Sequence, residues 1–323
     1  MVVLTRTVIE ERLNRRVLKC GVGGYGTRQE LLKTKKLLGQ IDSKSSVIIV
    51  GYGILNDLRD DYLFPNATVI KGYLVSKTVF SDNKQDFTDT RTGEKLVFSD
   101  SELESRLDKK LKEIQNEKPV HPIKKWLRSY SLIYNLLKEI KLLGLMGQKL
   151  GILHEQVMPS RSSPPLYIRM PQKYLWLDTA WSDHLNNIKE FKQLADRIGS
   201  KLLIVIIPSK EQVYEFLKPN YEEGVDWNFS NKMLNSLCSR ENIDCLDLLS
   251  DFKQYSNQSP KKFLNPYKDL YYRYDVHWNI NGNRLAGLLV SKYIIEKGFV
   301  DVGNKEDKLF EIEMGLRTFR EER

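Results

Sequence analysis

The sequence predicts an α/β protein in which a parallel sheet lies between layers of helices. Two runs carry most of this expectation: residues 47–50 (VIIV) and 202–207 (LLIVII) lack polar alternation, the pattern of strands covered on both faces. The third observation is order. Strand-like and helix-like segments alternate along most of the chain, and such alternation implies parallel pairing.

Residues 17–20 (VLKC), the glycine cluster at 21–26 and residues 29–38 read as strand, tight loop and helix. Residues 47–50 form the next strand, which runs into a turn-rich stretch at 51–61. The stretch 66–122 breaks the rhythm, with TVIKGYLVSKTVF and EKLVF as strands around polar turns, then a charged helix near 101–117. It reads as an insertion. An amphipathic helix is expected at 127–143, and the Pro and Ser of MPSRSSPP mark a surface loop. From 173 to 198, apolar residues at 177, 181, 185, 188, 191 and 194 make a helical stripe that Gly199 stops. After the strand at 202–207 come a helix at 230–240, a strand at 243–246 and a final helix at 281–297 that ends at Gly298. Beyond Asp301 the chain is charged and reads as a loosely held helix. The expected organisation is one α/β domain over residues 1–300, with the insertion at about 66–122 and a charged tail at 301–323.

With 323 residues, 41% of them hydrophobic, the chain can bury a sizeable core. No apolar run reaches the roughly 18 residues of a membrane span, and the first twenty residues are too charged for a secretory signal. The net charge is +9, yet the basic residues are scattered among 42 acids, which argues against a nucleic-acid partner. The most basic stretch, 109–128, reads as a solvated helical face, with attraction to anionic glycans or lipid headgroups as the alternative. Of the three cysteines, Cys20, Cys238 and Cys245, at least one is unpaired, and none has metal-ligand spacing. They read as small apolar packing residues, Cys20 within a buried strand.

The sharpest local signal is Tyr274, Asp275, Val276, His277, Trp278, Asn279, just before the last helix. In extended chain a carboxylate two residues from a histidine points the same way. Asp275 can then fix the tautomer of His277 and leave its other nitrogen free to take a proton from a hydroxyl. The alternative is an aromatic loop whose His277 hydrogen-bonds within the core, with Asn279 as helix N-cap. The second signal, Gly21, Val22, Gly23, Gly24, Tyr25, Gly26, satisfies G-x-G-x-x-G between an expected strand and helix, so a nicotinamide-dependent enzyme is a rival. Against it, residues 47–50 end in Gly51, Tyr52 and Gly53 rather than in an acid for the ribose. The third signal is Asn56-Asp57 in the loop after that strand. Loops at the carboxyl ends of parallel strands share one crevice, so Gly24, Asn56 and the Asp275–His277 loop are expected together there. Two amide donors beside a general base are the parts of an oxyanion hole for acyl transfer. A turn role for Asn56, and a special backbone conformation at Gly24, are the bland alternatives.

VGGYGTRQELL, then a strand, then NDLRDD, then a distant D-x-H-W-N ahead of a helix resembles the SGNH/GDSL hydrolase family, over about residues 8–297. Its subgroups include bacterial cell-envelope carbohydrate esterases and acetyltransferase-related proteins. The resemblance implies a three-layer, flavodoxin-like α/β/α fold, oxyanion donors at Gly24 and Asn56, and the catalytic acid and base at Asp275 and His277. It departs from the family in two places. The third block has one residue too many for G-x-N-D, and no glycine is followed two positions later by serine, so the G-D-S block is missing. By the family pattern that block would precede Met1, on a strand between those at 17–20 and 47–50, and an N-terminally truncated sequence is therefore expected. Met1 to Leu4 could partly fill the gap.

No other serine replaces it. Ser209 opens S-x-x-Q, a capping box for a helix running through Leu217, and His121, His154 and His184 lack partnering acids at useful spacing. The function implied is an esterase or acyl-transfer domain for acylated carbohydrate or lipid, needing no metal or organic cofactor and nearly inactive without its serine. The alternatives are a non-catalytic glycan- or acyl-binding module and, second, the NAD-dependent enzyme. Envelope location follows from the resemblance alone, and the sequence leaves compartment and oligomeric state open.

Overall fold

The computed structural model describes residues 2–22, 25–38, 47–63, 67–80, 95–116, 165–175, 177–221, 223–256, 264, 269–272 and 276–321. The helix expected at 127–143 and most of the MPSRSSPP loop lie outside them. The chain divides into two compact units, one of residues 1–97 with 164–323, the other of residues 98–163. In the second unit the charged helix is present as Asp100–Asn116, with Ser99 accepting from the Glu102 amide at its start.

In the first unit, helices α1 (Val2–Leu13) and α2 (Thr27–Leu38) precede strand β1 (Val47–Gly53) and helix α3 (Asp57–Leu63). Two small antiparallel pairs follow, β2 (Ala67–Ile70) with β3 (Tyr73–Ser76) and β4 (Thr78–Phe80) with β5 (Lys95–Val97). Counting the helix of the second unit as α4, the chain continues with α5 (Leu177–Ile198), β6 (Lys201–Ile207), α6 (Lys210–Val213), α7 (Phe229–Glu241), β7 (Asp244–Asp247), α8 (Leu249–Gln254), α9 (Ile280–Glu296) and α10 (Lys305–Glu321).

The main sheet is parallel, in the order β1-β6-β7. On β6 the side chains of Leu202, Ile204 and Ile206 enter one core with α2, α5 and α7, while Leu203 and Val205 enter another with α1, α9 and α10. That period-two split makes three layers, helices on both faces of a parallel sheet, as the sequence predicts. Of the three strands of this sheet, only β6 is buried along almost its whole length. β1 is an edge strand among the described residues and alternates, with Ile48, Val50 and Tyr52 inward. It also runs three residues further than expected, because Gly51, Tyr52 and Gly53 keep register with Val205, Ile206 and Ile207.

Residues 17–20 are not a strand. The chain leaves α1 through Asn14 in the left-handed region (φ 48°), the Val17 amide donates to Glu10 Oε1 at 2.8 Å, and Leu18 is 45% exposed. A strand needs a ladder partner, and the described residues offer this segment none. Residues 2–13 are helical throughout, so Val2 to Leu4 add no strand to the sheet. Cys238 and Cys245 are joined as a disulfide, from α7 to β7, rather than packing as separate small residues, and Cys20 is free and half-buried. The charged stretch after Asp301 is firmly packed: Ile312, Leu316 and Phe319 of α10 are buried in the core that α9 completes. Gly287 lets α1 cross α9 closely, since a Cβ there would stand 2.6 Å from that of Val8. No helix among the described residues is long and apolar enough to cross a membrane.

Candidate active site

Two of the three expected loops meet through one carboxylate. Asp61 of α3 accepts from the Thr27 hydroxyl and, on its other oxygen, from the Arg28 amide at 3.0 Å, so it caps the start of α2 where the glycine loop ends. Gly26 makes that approach possible: a Cβ there would lie 2.5 Å from Asp61 Oδ1 and 2.9 Å from the Asp61 amide nitrogen. From α5, His184 Nδ1 (2.7 Å) and Asn187 Nδ2 (2.9 Å) reach Asp61 Oδ2. A carboxylate only accepts, so Nδ1 of His184 carries the hydrogen.

This corrects the expectation that His184 has no partnering acid. The residue is fully buried, against the rings of Tyr52 (centroids 5.3 Å apart) and Trp181 (5.7 Å). The partner lies 123 positions away and could not be read from spacing. One signal was available: position 184 falls on the buried face that runs through 181 and 188, and a polar side chain on such a face needs a polar partner.

Asn56 occupies the turn between β1 and α3. Its backbone amide donates to Gly53 O (3.2 Å), and its side-chain amide donates to Asp60 Oδ2 (3.0 Å), which engages one of two hydrogens. The Gly53 amide donates to Asp57 Oδ2 at 2.8 Å. Four carboxyls thus crowd one region, and like charges so placed cannot all ionise. Burial, and then the charge of Asp61, push Glu30 up to about 8 against the pull of Lys33. Burial, then Glu30, hold Asp57 well above the usual aspartate value, opposed by the Gly53 amide and reinforced by Asp61 and Asp60. Burial raises Asp61 too, but the hydrogen bond and charge of His184, with the Arg28 amide and Thr27, outweigh it and leave the carboxyl below its ordinary value. Asp60 pairs with Arg59 at 2.9 Å.

The third loop precedes α9 and is anchored on the residue that follows β6. Tyr271 donates its hydroxyl hydrogen to Pro208 O (2.7 Å), the Leu270 amide donates to the Tyr214 hydroxyl (3.0 Å), and Asn279 Nδ2 donates to Asp269 O (2.7 Å). Asn279 is also the N-cap of α9, its Oδ1 accepting from the Gly282 amide at 3.1 Å. Ile207, just before Pro208, is the register partner of Gly53, so the stem of this loop and the Asn56 turn stand at the same end of the sheet. His277 is exposed, its carbonyl accepting from the Tyr272 amide, and is therefore not a core histidine. Gly24 and Asp275 lie outside the described residues, as do His121 and His154.

Ser209 forms the expected capping box: its hydroxyl accepts from the Gln212 amide and from the Tyr167 hydroxyl, and the side chain is fully buried. The helix it opens ends at Val213 rather than Leu217, where a short 3-10 turn, Glu215–Leu217, takes over. Among the described residues no three His, Cys, Asp or Glu side chains are placed to hold a metal ion. The G-x-G-x-x-G at 21–26 lacks the preceding strand that dinucleotide binding requires, because residues 17–20 are irregular.

Residues 176–316 match the family model for the SGNH hydrolase-like domain of the acetyltransferase AlgX. Over that stretch the chain is similar to an SGNH hydrolase-like domain. The matched part of that domain spans α5 to α10 and includes Asp275 and His277, whereas the glycine loop and Asn56 precede it. No curated protein and no solved structure matches the chain.

Proposed function

We propose that this protein is an SGNH-type acyl-transfer enzyme, an esterase or acetyltransferase acting on acylated carbohydrate or lipid. In this scheme His277 removes the proton of a serine hydroxyl, Asp275 holds the imidazole, and amides at Gly24 and Asn56 stabilise the tetrahedral oxyanion. A G-D-S serine is not among the 323 residues, and the nucleophile is the part of the scheme they do not supply. The main support is that the D-x-H pair falls inside the stretch matching an SGNH hydrolase-like domain whose model is named for an acetyltransferase. The joining of the glycine loop to the Asn56 segment through Asp61 supports it further.

The test uses p-nitrophenyl acetate. If the native gene encodes a G-D-S serine upstream of these residues, its product is expected to turn the ester over and to lose at least about a thousandfold in kcat on His277→Ala, while the 323 residues alone stay near the buffer rate. Turnover by the 323 residues that His277→Ala abolishes would reveal a different nucleophile. A native gene product that binds acylated glycan without turnover would overturn the catalytic scheme in favour of a binding module.

A further inference from the structure

We infer that Asp61, held by His184 and Asn187, is a positioning residue that fixes the glycine loop against the Asn56 turn. This rests on the assignment of Gly24 and Asn56 as oxyanion donors. An oxyanion hole works only when its donors are set before charge develops, and two donors on separate segments stay set only if something ties the segments together.

Asp61 makes that tie with four hydrogen bonds. Two reach the start of α2, from the Thr27 hydroxyl and the Arg28 amide, three and four residues after Gly24. Two more, from His184 and Asn187 on α5, fix the carboxylate itself. Asp61 belongs to α3, the helix that starts immediately after Asn56, so the same side chain references both segments to one element. Bonds to an ionised acceptor are the strong kind, and in a buried setting their loss leaves the partners unsatisfied. Gly26 fits the same purpose, because any larger residue would wedge the loop away from Asp61. The apolar rings around His184 exclude water from the far side of the pair, and Nε2 of His184, Nε1 of Trp181 and Oη of Tyr52 are all buried without a partner among the described residues.

The test compares Asp61→Asn and the milder Asn187→Ala with the wild type by amide hydrogen exchange in the 323-residue chain. Exchange at residues 26–28 should accelerate by about tenfold or more, while the core amides of β6 are unchanged. In the native gene product, kcat for p-nitrophenyl acetate should fall about tenfold or more with KM nearly constant, because oxyanion donors act on the transition state. Unchanged exchange at residues 26–28 in a folded variant overturns the proposal, as does faster exchange with unaltered kcat. Should Asp61→Asn fail to fold, Asn187→Ala decides by the same readings. If the wild type shows no ester turnover, the catalytic scheme fails on its own, and the exchange result alone decides whether Asp61 fixes the loop.

Discussion

Replacing Glu30 by Gln should remove the part of this buried acidic region's pH dependence of stability that Glu30 itself contributes. The ordinary value for the carboxyl is 4.5, and burial with the charge of Asp61 raises it to about 8 in the folded chain. Between those values the folded state holds a proton that the unfolded state has released, so stability falls as pH rises, by about 1.4 kcal/mol per pH unit at most. Over the whole window that is a ceiling of about 5 kcal/mol. Glu30 keeps partial solvent access, which screens the charge and reduces the expected effect to roughly 1–3 kcal/mol. Glutamine mimics the protonated form at every pH. Urea unfolding at pH 5, 7 and 9 should therefore show the variant close to wild type at pH 5 and increasingly more stable up to pH 9. A difference that stays constant across this range would refute the reasoning, for it would mean that Glu30 ionises alike in folded and unfolded chains.

Gly287→Ala should destabilise by about 1–3 kcal/mol despite alanine's better helix propensity, because its Cβ would meet Val8 of α1 at 2.6 Å; Gly315→Ala, 3.5 Å from Leu288, should be neutral or slightly stabilising in the same urea titration. Ser209→Ala should lower stability by about 1–2 kcal/mol through loss of the capping box while leaving ester turnover by the native gene product within about twofold; a collapse of turnover in a folded variant would assign Ser209 to the chemistry.

The fold was legible where burial is one-dimensional in sequence. Residues 202–207 are apolar at every position, and only a strand with helices on both faces hides both sets of side chains, so β6 and its layers follow directly. The stripe from 177 to 194 declared α5 for the same reason, and S-x-x-Q at Ser209 declared its cap, since both depend on residues within a few positions of each other. Residues 17–20 misled because VLKC has strand composition, while a strand exists only beside another strand, and Asn14 turns this segment elsewhere.

What the chain determined alone is thus most of the periodic elements and their parallel arrangement, while the roles proposed for Gly24, Asn56, Asp275 and His277 rest on motif. Tertiary structure decided which polar groups face one another. His184 meets Asp61 across 123 positions, Cys238 is bonded to Cys245, and the charged residues after Asp301 present Ile312, Leu316 and Phe319 to the core. The reason is that periodicity reports only whether a side chain is inside, whereas hydrogen bonds and charge shifts depend on what else has been brought inside with it.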